Sequence, residues 1–538
     1  MKTIPSSLCI GLAMLGSIAC GTSDKPGGST FSAAGSGPAP AAGGTTGSTP
    51  PVFSHSGNRS DLNVPDTAGA SSTGGMQCDP NNMTTTISGV VLDPAGKNPL
   101  YNISVYVLDP SSPLPDLEKI PVACGCSQLL PAKVSAIGAP TDASGHFQIP
   151  CAPSGPVTLV VQTGKWRRKY ENVNIIANQD NVIPNLRLPA NSSEGSLPNI
   201  AISTGGSDSF ECLPLRIGVS ASEYVAGSAT GGHIHIYSGL RGATPAQGAV
   251  ESRRALWDSQ AHLNEHDVVI LSCEGEETKG GAGGTRVGAA AQQLLMNYAN
   301  AGGRVFASHY QYAWFNTGPF ATGANSLATW NTMQGMLNDD QSFMAEVNVT
   351  LGGGVAFPGG VALAKWLGLV GALTNNQLPV WFVRNNVRAL QQPPSTEWLH
   401  LAANSTTAPS ATQYFSADTP IGAGSDKVCG RVVYSALHVS GGPNTNAPGV
   451  PVDYPAGNGA GGATGAGGAS SGGGGRAGIP GAAGGFGMGG PGMTQGGIVP
   501  SGCAMHPLTP QELALEFMFF DLSSCLVPIG EEPPVIPK

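Results

Sequence analysis

From Thr84 the chain alternates β-branched and polar residues in short runs: Ile87 to Val91, Ile103 to Val107, His146 to Ile149 and Val157 to Val161. The turn formers Asp93-Pro94-Ala95-Gly96 and Asp142-Ala143-Ser144-Gly145 lie between them. A period of two puts one side of each run inside, so residues 84–195 are expected to form a small antiparallel β-sandwich. Near residue 210 the rhythm changes. Leu215 to Val219 and Asp267 to Leu271 are nearly uniform apolar runs, the pattern of parallel strands buried on both faces. Val287 to Asn300 has helical spacing, and Gly302-Gly303 ends it before a strand at Arg304 to Ser308. Strand, helix and strand in that order form a crossover unit. Gly430 to Ala436 supplies one more strand, and Thr509-Pro510-Gln511-Glu512 is a capping box opening a helix from Leu513 to Leu522. The expected fold class is therefore multidomain: a β-sandwich, then an α/β domain with a parallel sheet over 210–440 and 501–526.

Two long stretches carry neither period. Residues 20–80 are polar and rich in Gly, Ser and Pro, and residues 441–500 are mostly Gly, Ala and Ser. Neither buries enough apolar surface to offset chain entropy, so the first reads as a disordered tether and the second as a disordered insertion in a surface loop. Closure cost rises by only about 0.6 kcal/mol per doubling of loop length, so the fold is expected to survive deletion of the insertion. Ahead of the tether, Lys2 precedes the apolar run Leu8 to Leu15 and then Ser17-Ile18-Ala19-Cys20. This is the layout of a secretory signal over residues 1–19, too short for the roughly 20 residues of a membrane span. Ser17-Ile18-Ala19-Cys20 resembles the bacterial lipobox, which implies diacylglycerol on Cys20. Small-x-small before a cut also suits the ordinary signal peptidase, which leaves Cys20 a plain first residue. A long tether starting directly after Cys20 favours the anchor, and its acyl chains would hold the protein stably at a membrane. By the same resemblance, Gly21 after Cys20, with no acidic sorting residue, implies the outer membrane of a Gram-negative envelope.

Composition narrows the partners. With 538 residues, only 11% of them charged, and a formal charge of −9, the chain lacks the clustered Lys and Arg of a nucleic-acid partner. The one basic run, Lys165 to Lys169, reads as a solvated strand or hairpin edge. In an oxidising compartment Cys78, Cys124, Cys126, Cys151, Cys212, Cys429, Cys503 and Cys525 are disulfide candidates. Cys124-Gly125-Cys126 is too close for a zinc knuckle, so bonds from it to Cys78 and Cys151 are expected. With Cys273 the count after Cys20 is odd, leaving a free thiol unless Cys20 pairs.

Sites in open α/β sheets form at the carboxyl ends of strands. Three strands here end in Leu271-Ser272-Cys273-Glu274, Ala307-Ser308-His309-Tyr310 and Ala436-Leu437-His438. Glu274, His309, His438 and Tyr310 are the candidate catalytic or ligand-binding residues, against the alternative that strand-end histidines are satisfied structural groups. Cys273 reads as a disulfide or buried thiol, because Glu274 beside it would raise its pKa. Glu274, His309 and His438 are acceptable metal-ligand types at uninformative spacing, so metal and cofactor stay unassigned. His233-Ile234-His235 puts two imidazoles on one strand face, where they can hold a metal or simply be exposed polarity. Tyr310, Tyr312, Trp314 and Phe315 either line a sugar-stacking wall or pack under a loop.

Two families are resembled. Gly89-Val90-Val91-Leu92-Asp93 to Pro99-Leu100, followed by Thr141-Asp142-Ala143-Ser144-Gly145-His146-Phe147, resembles the carboxypeptidase regulatory-like domain. That implies a transthyretin-like sandwich with no catalytic residues, used as a spacer or accessory module; the insertion from about Pro110 to Pro140 departs from it and reads as a decorated loop. Asp267 to Glu274, Ala301-Gly302-Gly303 to His309 and Gly430 to His438 look like the trehalose-utilisation (ThuA-like) group of the class I glutamine amidotransferase-like fold. This implies a flavodoxin-like sheet with His309 at the group's histidine position. Ala307-Ser308-His309-Tyr310-Gln311 stands where true amidotransferases carry a nucleophilic cysteine, so glutaminase activity is not expected. Together these readings imply a membrane-tethered extracytoplasmic binding or accessory lipoprotein whose ThuA-like domain binds a carbohydrate-like ligand near His309. The alternative is a hydrolase or isomerase on sugar derivatives using Glu274 and His309.

Overall fold

Alternation of inward apolar and outward polar residues produces two facing sheets in the computed structural model, which describes residues 84–240, 242, 250–275, 287–331, 342–402, 411–439, 453 and 503–536. The signal, Cys20, the tether with Cys78, and the glycine-rich insertion apart from Asp453 lie outside the described residues. In one sandwich sheet β1 (Thr86–Leu92) is central. It is flanked by β4 (His146–Ile149), antiparallel, and β7 (Asp180–Arg187), parallel. The wholly antiparallel sandwich expected from the turns is corrected here: β7 comes late in the chain and pairs with β1 in parallel, a pairing no hairpin can make. The other sheet runs β3 (Val134–Ile137), β2 (Ser104–Leu108), β5 (Gly155–Thr163), β6 (Trp166–Ile175) and β8 (Gly195–Ser196). The basic run opens β6, but its start is not solvated. Trp166 is fully buried, and Lys165 Nζ lies 2.8 Å from Asp267 Oδ1 in a mostly shielded ion pair.

The second part of the body is one ten-stranded mixed sheet. Its parallel half comprises β10 (Tyr224–Ala226), β11 (Ile234–Tyr237), β9 (Ile200–Ser203), β12 (Val268–Leu271), β13 (Arg304–Ser308) and β20 (Gly430–Ser435), in that spatial order. It continues antiparallel through β19 (Thr412–Thr419), β18 (Thr396–Leu401), β15 (Phe343–Val347) and β16 (Leu378–Val380). A small ribbon, β14 (Ala328–Trp330) with β17 (Val387–Leu390), stands apart. Helix α4 (Ala289–Asn300) links β12 to β13 as its spacing predicts, and Gly302 follows it at φ 116°.

The run Leu215 to Val219 is not a strand. Its first residues complete the short helix α1 (Leu213–Arg216), with Pro214 in the first turn, and Gly218 at φ 96° turns the chain away. The first strand of this sheet is β9, ahead of the expected boundary at 210. Four or five apolar residues look alike as buried strand or buried helix, so period alone could not separate them.

The two parts share one hydrophobic core, running from Ile87 and Phe147 in the sandwich through Ile200 and Phe306 in the mixed sheet to Phe517 and Phe520. The seam is filled by α6 (Pro510–Ser523), opened by the Thr509–Glu512 capping box and buried on nearly every side, as an all-round apolar helix must be. Trp166 of the sandwich meets Phe520 at 5.8 Å, and Trp366 Nε1, on α5 (Pro358–Leu369), donates to the Pro99 carbonyl at 2.6 Å.

Disulfides close the same seam. Cys124 pairs with Cys429 and Cys126 with Cys525, so the inserted loop straps the sandwich to the mixed sheet. The expected bonds from these two residues to Cys78 and Cys151 are thereby corrected: the 110–140 loop lies against the far domain, out of local reach. Cys212 pairs with Cys503, Cys151 is also disulfide-bonded, and Cys273 is a buried free thiol. Disulfides at this density persist in oxidising compartments and point to an extracytoplasmic protein. Among the described residues no helix is long and apolar enough to cross a membrane.

Candidate functional site at three adjacent strand ends

Strands β12, β13 and β20 are neighbours and parallel, so the residues leaving their carboxyl ends emerge side by side. Cys273 follows β12, His309 follows β13 and His438 follows β20. At His309 the chain turns from strand into a 3-10 helix (His309–Trp314) with φ 44°, a left-handed conformation uncommon for a residue with a Cβ. Cys273 Sγ lies 3.1 Å from His309 Nδ1, and the rings of His309 and His438 meet edge-on with centroids 5.1 Å apart. One donor atom from each of the three residues lies within 4.8 Å of the others.

A polar frame holds the strand ends together. Cys273 N–H donates to Ser308 Oγ at 3.1 Å, and that hydroxyl donates to Asp208 Oδ2 at 2.5 Å. Asp208 Oδ1 accepts Val439 N–H at 2.8 Å, joining the segment after β9 to the ends of β12, β13 and β20. The Gln511 amide of α6 donates to the His438 carbonyl, and its oxygen accepts Trp381 N–H at 2.8 Å.

Burial governs the protonation of every member. It pushes the Cys273 thiol up to about 12, although backbone N–H groups of Tyr310 and Gly275 favour its thiolate. It holds His309 well below the usual imidazole range and His438 at about 3, with the Arg384 guanidinium adding to both. Asp208 is raised to about 7 by burial, against the hydrogen bonds from Ser308 and Val439. At neutral pH the cluster is a neutral thiol beside two neutral imidazoles.

Glu274 turns elsewhere. Its Oε1 is 2.9 Å from Arg253 Nε and accepts Leu240 N–H at 3.2 Å, and it is not among the donors that converge with His309. Tyr310 lies tilted against the His309 ring with centroids 4.0 Å apart. Tyr312, Trp314 and Phe315 are core residues, packed on Trp330, Trp257 and Phe320 respectively.

His233 and His235 are both buried, not exposed strand polarity. His233 bridges Glu223 at 2.6 Å and Glu118 of the inserted loop at 3.1 Å. Burial opposes charge there, but the two carboxylates outweigh it and raise His233 to about 9. His235 Nδ1 instead faces the Gly227 carbonyl at 2.7 Å.

Sequence reasoning singled out His309, His438 and Tyr310 but set Cys273 aside and did not make Asp208, Ser308 or Arg384 a candidate. The odd cysteine count was the available signal for Cys273. Nothing in Gly206-Ser207-Asp208-Ser209 marks its carboxylate as the one that ties the strand ends.

A cavity of about 670 Å³ lies between the sandwich turn at 139–144 and α5, with Tyr101, Asp142, Lys365 and Glu532 on its wall.

No family model matches this chain, and no curated protein matches it. Two solved structures align with part of it, both type II cohesin–X-dockerin complexes from Acetivibrio cellulolyticus. One is a C-terminal interface mutant with 15% identity over 23% of this chain and 78% of the other, at TM-score 0.14. The second is an N-terminal interface mutant with 14% identity over 28% and 88%, at TM-score 0.15. At these scores neither likeness bears on the fold or ligands of this chain.

Proposed function

We propose that this chain is a lipid-tethered extracytoplasmic binding or accessory protein of the bacterial envelope, held at the outer membrane through Cys20 and serving a carbohydrate-like ligand. The sandwich is then a carboxypeptidase regulatory-like module and the mixed sheet a ThuA-like domain. The observation that carries the reading is the disulfide-strapped seam, which suits a rigid module presented outside the cell. Binding is favoured over sugar hydrolysis or isomerisation because Glu274 is engaged by Arg253 while burial keeps His309 neutral and nearly inaccessible, so the two do not make an acid–base pair facing a cleft. The cavity beside Tyr101 and Lys365 has the volume of a small-ligand site and suits a sugar better than the closed surroundings of His309.

Fractionation of cells making the wild type and Cys20→Ser tests the tether. The wild type should sediment with outer membrane, and the variant should appear in the soluble extracytoplasmic fraction. Identical partition of the two chains would overturn the anchor. A glycan array probed with the full body, with Lys365→Ala alongside, tests the ligand class; uniform blanks count against it.

A further inference from the structure

We propose that Cys273 Sγ, His309 Nδ1 and His438 Nε2 form a binding site for one borderline-soft divalent metal ion of the Zn²⁺ type. One thiolate and two imidazoles are the donors such an ion selects, and bonds of about 2.0–2.3 Å put donors of a tetrahedral site roughly 3.4–3.6 Å apart. The observed S···N contact of 3.1 Å, with all three donors inside 4.8 Å, needs only small side-chain adjustment to reach that spacing.

Independent features point to the same ion. His438 is buried, and its Nε2 has no hydrogen-bond partner among the described residues. The Phe382 carbonyl takes the ring's other hydrogen bond, which fixes the tautomer that leaves a lone pair on Nε2. The backbone N–H groups of Tyr310 and Gly275 are aimed at the sulfur, where they stabilise negative charge. Cys273 is also the free cysteine of a chain whose other described cysteines are in disulfides. On binding, the S–H bond breaks, the S–metal bond forms and the proton leaves to solvent. The Arg384 guanidinium opposes a cation here, and the thiolate formed on binding offsets it. Three protein donors leave a fourth position for solvent or a ligand oxygen.

This reading goes beyond the binding proposal and does not rest on it, since metal uptake can be read whether or not a sugar binds. The full chain, disulfides intact and stripped with chelator, is titrated with Co²⁺. The expected result is one Co²⁺ per chain, with a thiolate-to-cobalt charge-transfer band and the intense visible bands of tetrahedral Co²⁺, all removed by Zn²⁺. Cys273→Ser should abolish the charge-transfer band, and His438→Ala should weaken binding about tenfold or more. Substitution of the exposed His146 by Ala should change nothing. As a check that needs no variant, excess Zn²⁺ should raise the apparent Tm of the stripped wild type, because the ion binds the folded state alone. Absence of the charge-transfer band at saturating Co²⁺, its survival in Cys273→Ser, or a Tm indifferent to Zn²⁺ would overturn the site.

Discussion

Asp453 gives the glycine-rich insertion a structural role that its composition hides. Its carboxylate pairs with the Arg216 guanidinium, which also meets Glu512, and the side chains of all three are fully buried. It also accepts Ala504 N–H at 2.8 Å and the Ser209 hydroxyl at 2.5 Å. The Cys212–Cys503 bond holds these partners close, since Arg216 lies one turn beyond Cys212 and Ala504 follows Cys503. Deleting residues 455–500 spares this carboxylate and shortens the chain between Val439 and Cys503 roughly fourfold, which should favour folding by about 1 kcal/mol. Adding Asp453→Ala to that deletion leaves Arg216 with one carboxylate and Ala504 N–H without its acceptor. Removing one partner of a buried ion pair costs about 3–5 kcal/mol. At a little over 1 °C per kcal/mol for a body of this size, the second change should lower the apparent Tm by roughly 4–7 °C. Thermal unfolding followed by circular dichroism, with disulfides oxidised, measures both. Equal Tm values for the deletion with and without Asp453 would refute the argument, as would a large loss from the deletion alone.

Two further outcomes follow from the seam. Glu516 on α6 is buried against Asp93 of the sandwich, and burial together with that neighbouring carboxylate raises its pKa well above 4.5, so it holds the proton the pair shares. The folded state then keeps a proton that the unfolded chain releases, and stability is lost as pH rises from about 4.5 toward the folded value. Glu516→Gln, which still accepts from Asn98, should therefore gain in Tm over the wild type as pH is raised; a Tm difference that stays constant from acid to neutral pH would contradict this. Replacing Cys126 and Cys525 together by Ser should cost about 2–4 kcal/mol in denaturant unfolding under oxidising conditions, and the gap should close when both proteins are reduced. An unchanged midpoint in the oxidised state would show that the strap does not stabilise the seam.

Much of the architecture was readable along the chain because its causes are local. Val268 to Leu271 and Val305 to Ala307 had to be apolar, since a parallel strand covered on both faces meets no water. Thr509 and Glu512 announced α6 because unsatisfied N–H groups at a helix start need acceptors from nearby residues. Signals failed where several conformations satisfy one short pattern, as at Leu215 to Val219, and where a residue's meaning lay in a distant partner. Cys124 and Cys126 sat in what read as a loop decoration, and only the docking of that loop against Cys429 and Cys525 shows it to be a strap.

The amino-acid order by itself determined the two rhythms of the body, the helix caps, the low-complexity stretches and the odd thiol, because backbone hydrogen bonding, side-chain period and chain entropy act over a few neighbouring residues. Tertiary structure alone decided that β12, β13 and β20 lie next to one another, and with that order which of Cys273, Glu274, His309 and His438 come together. Strand order is a property of the whole packed core, and no local interaction along the chain encodes it.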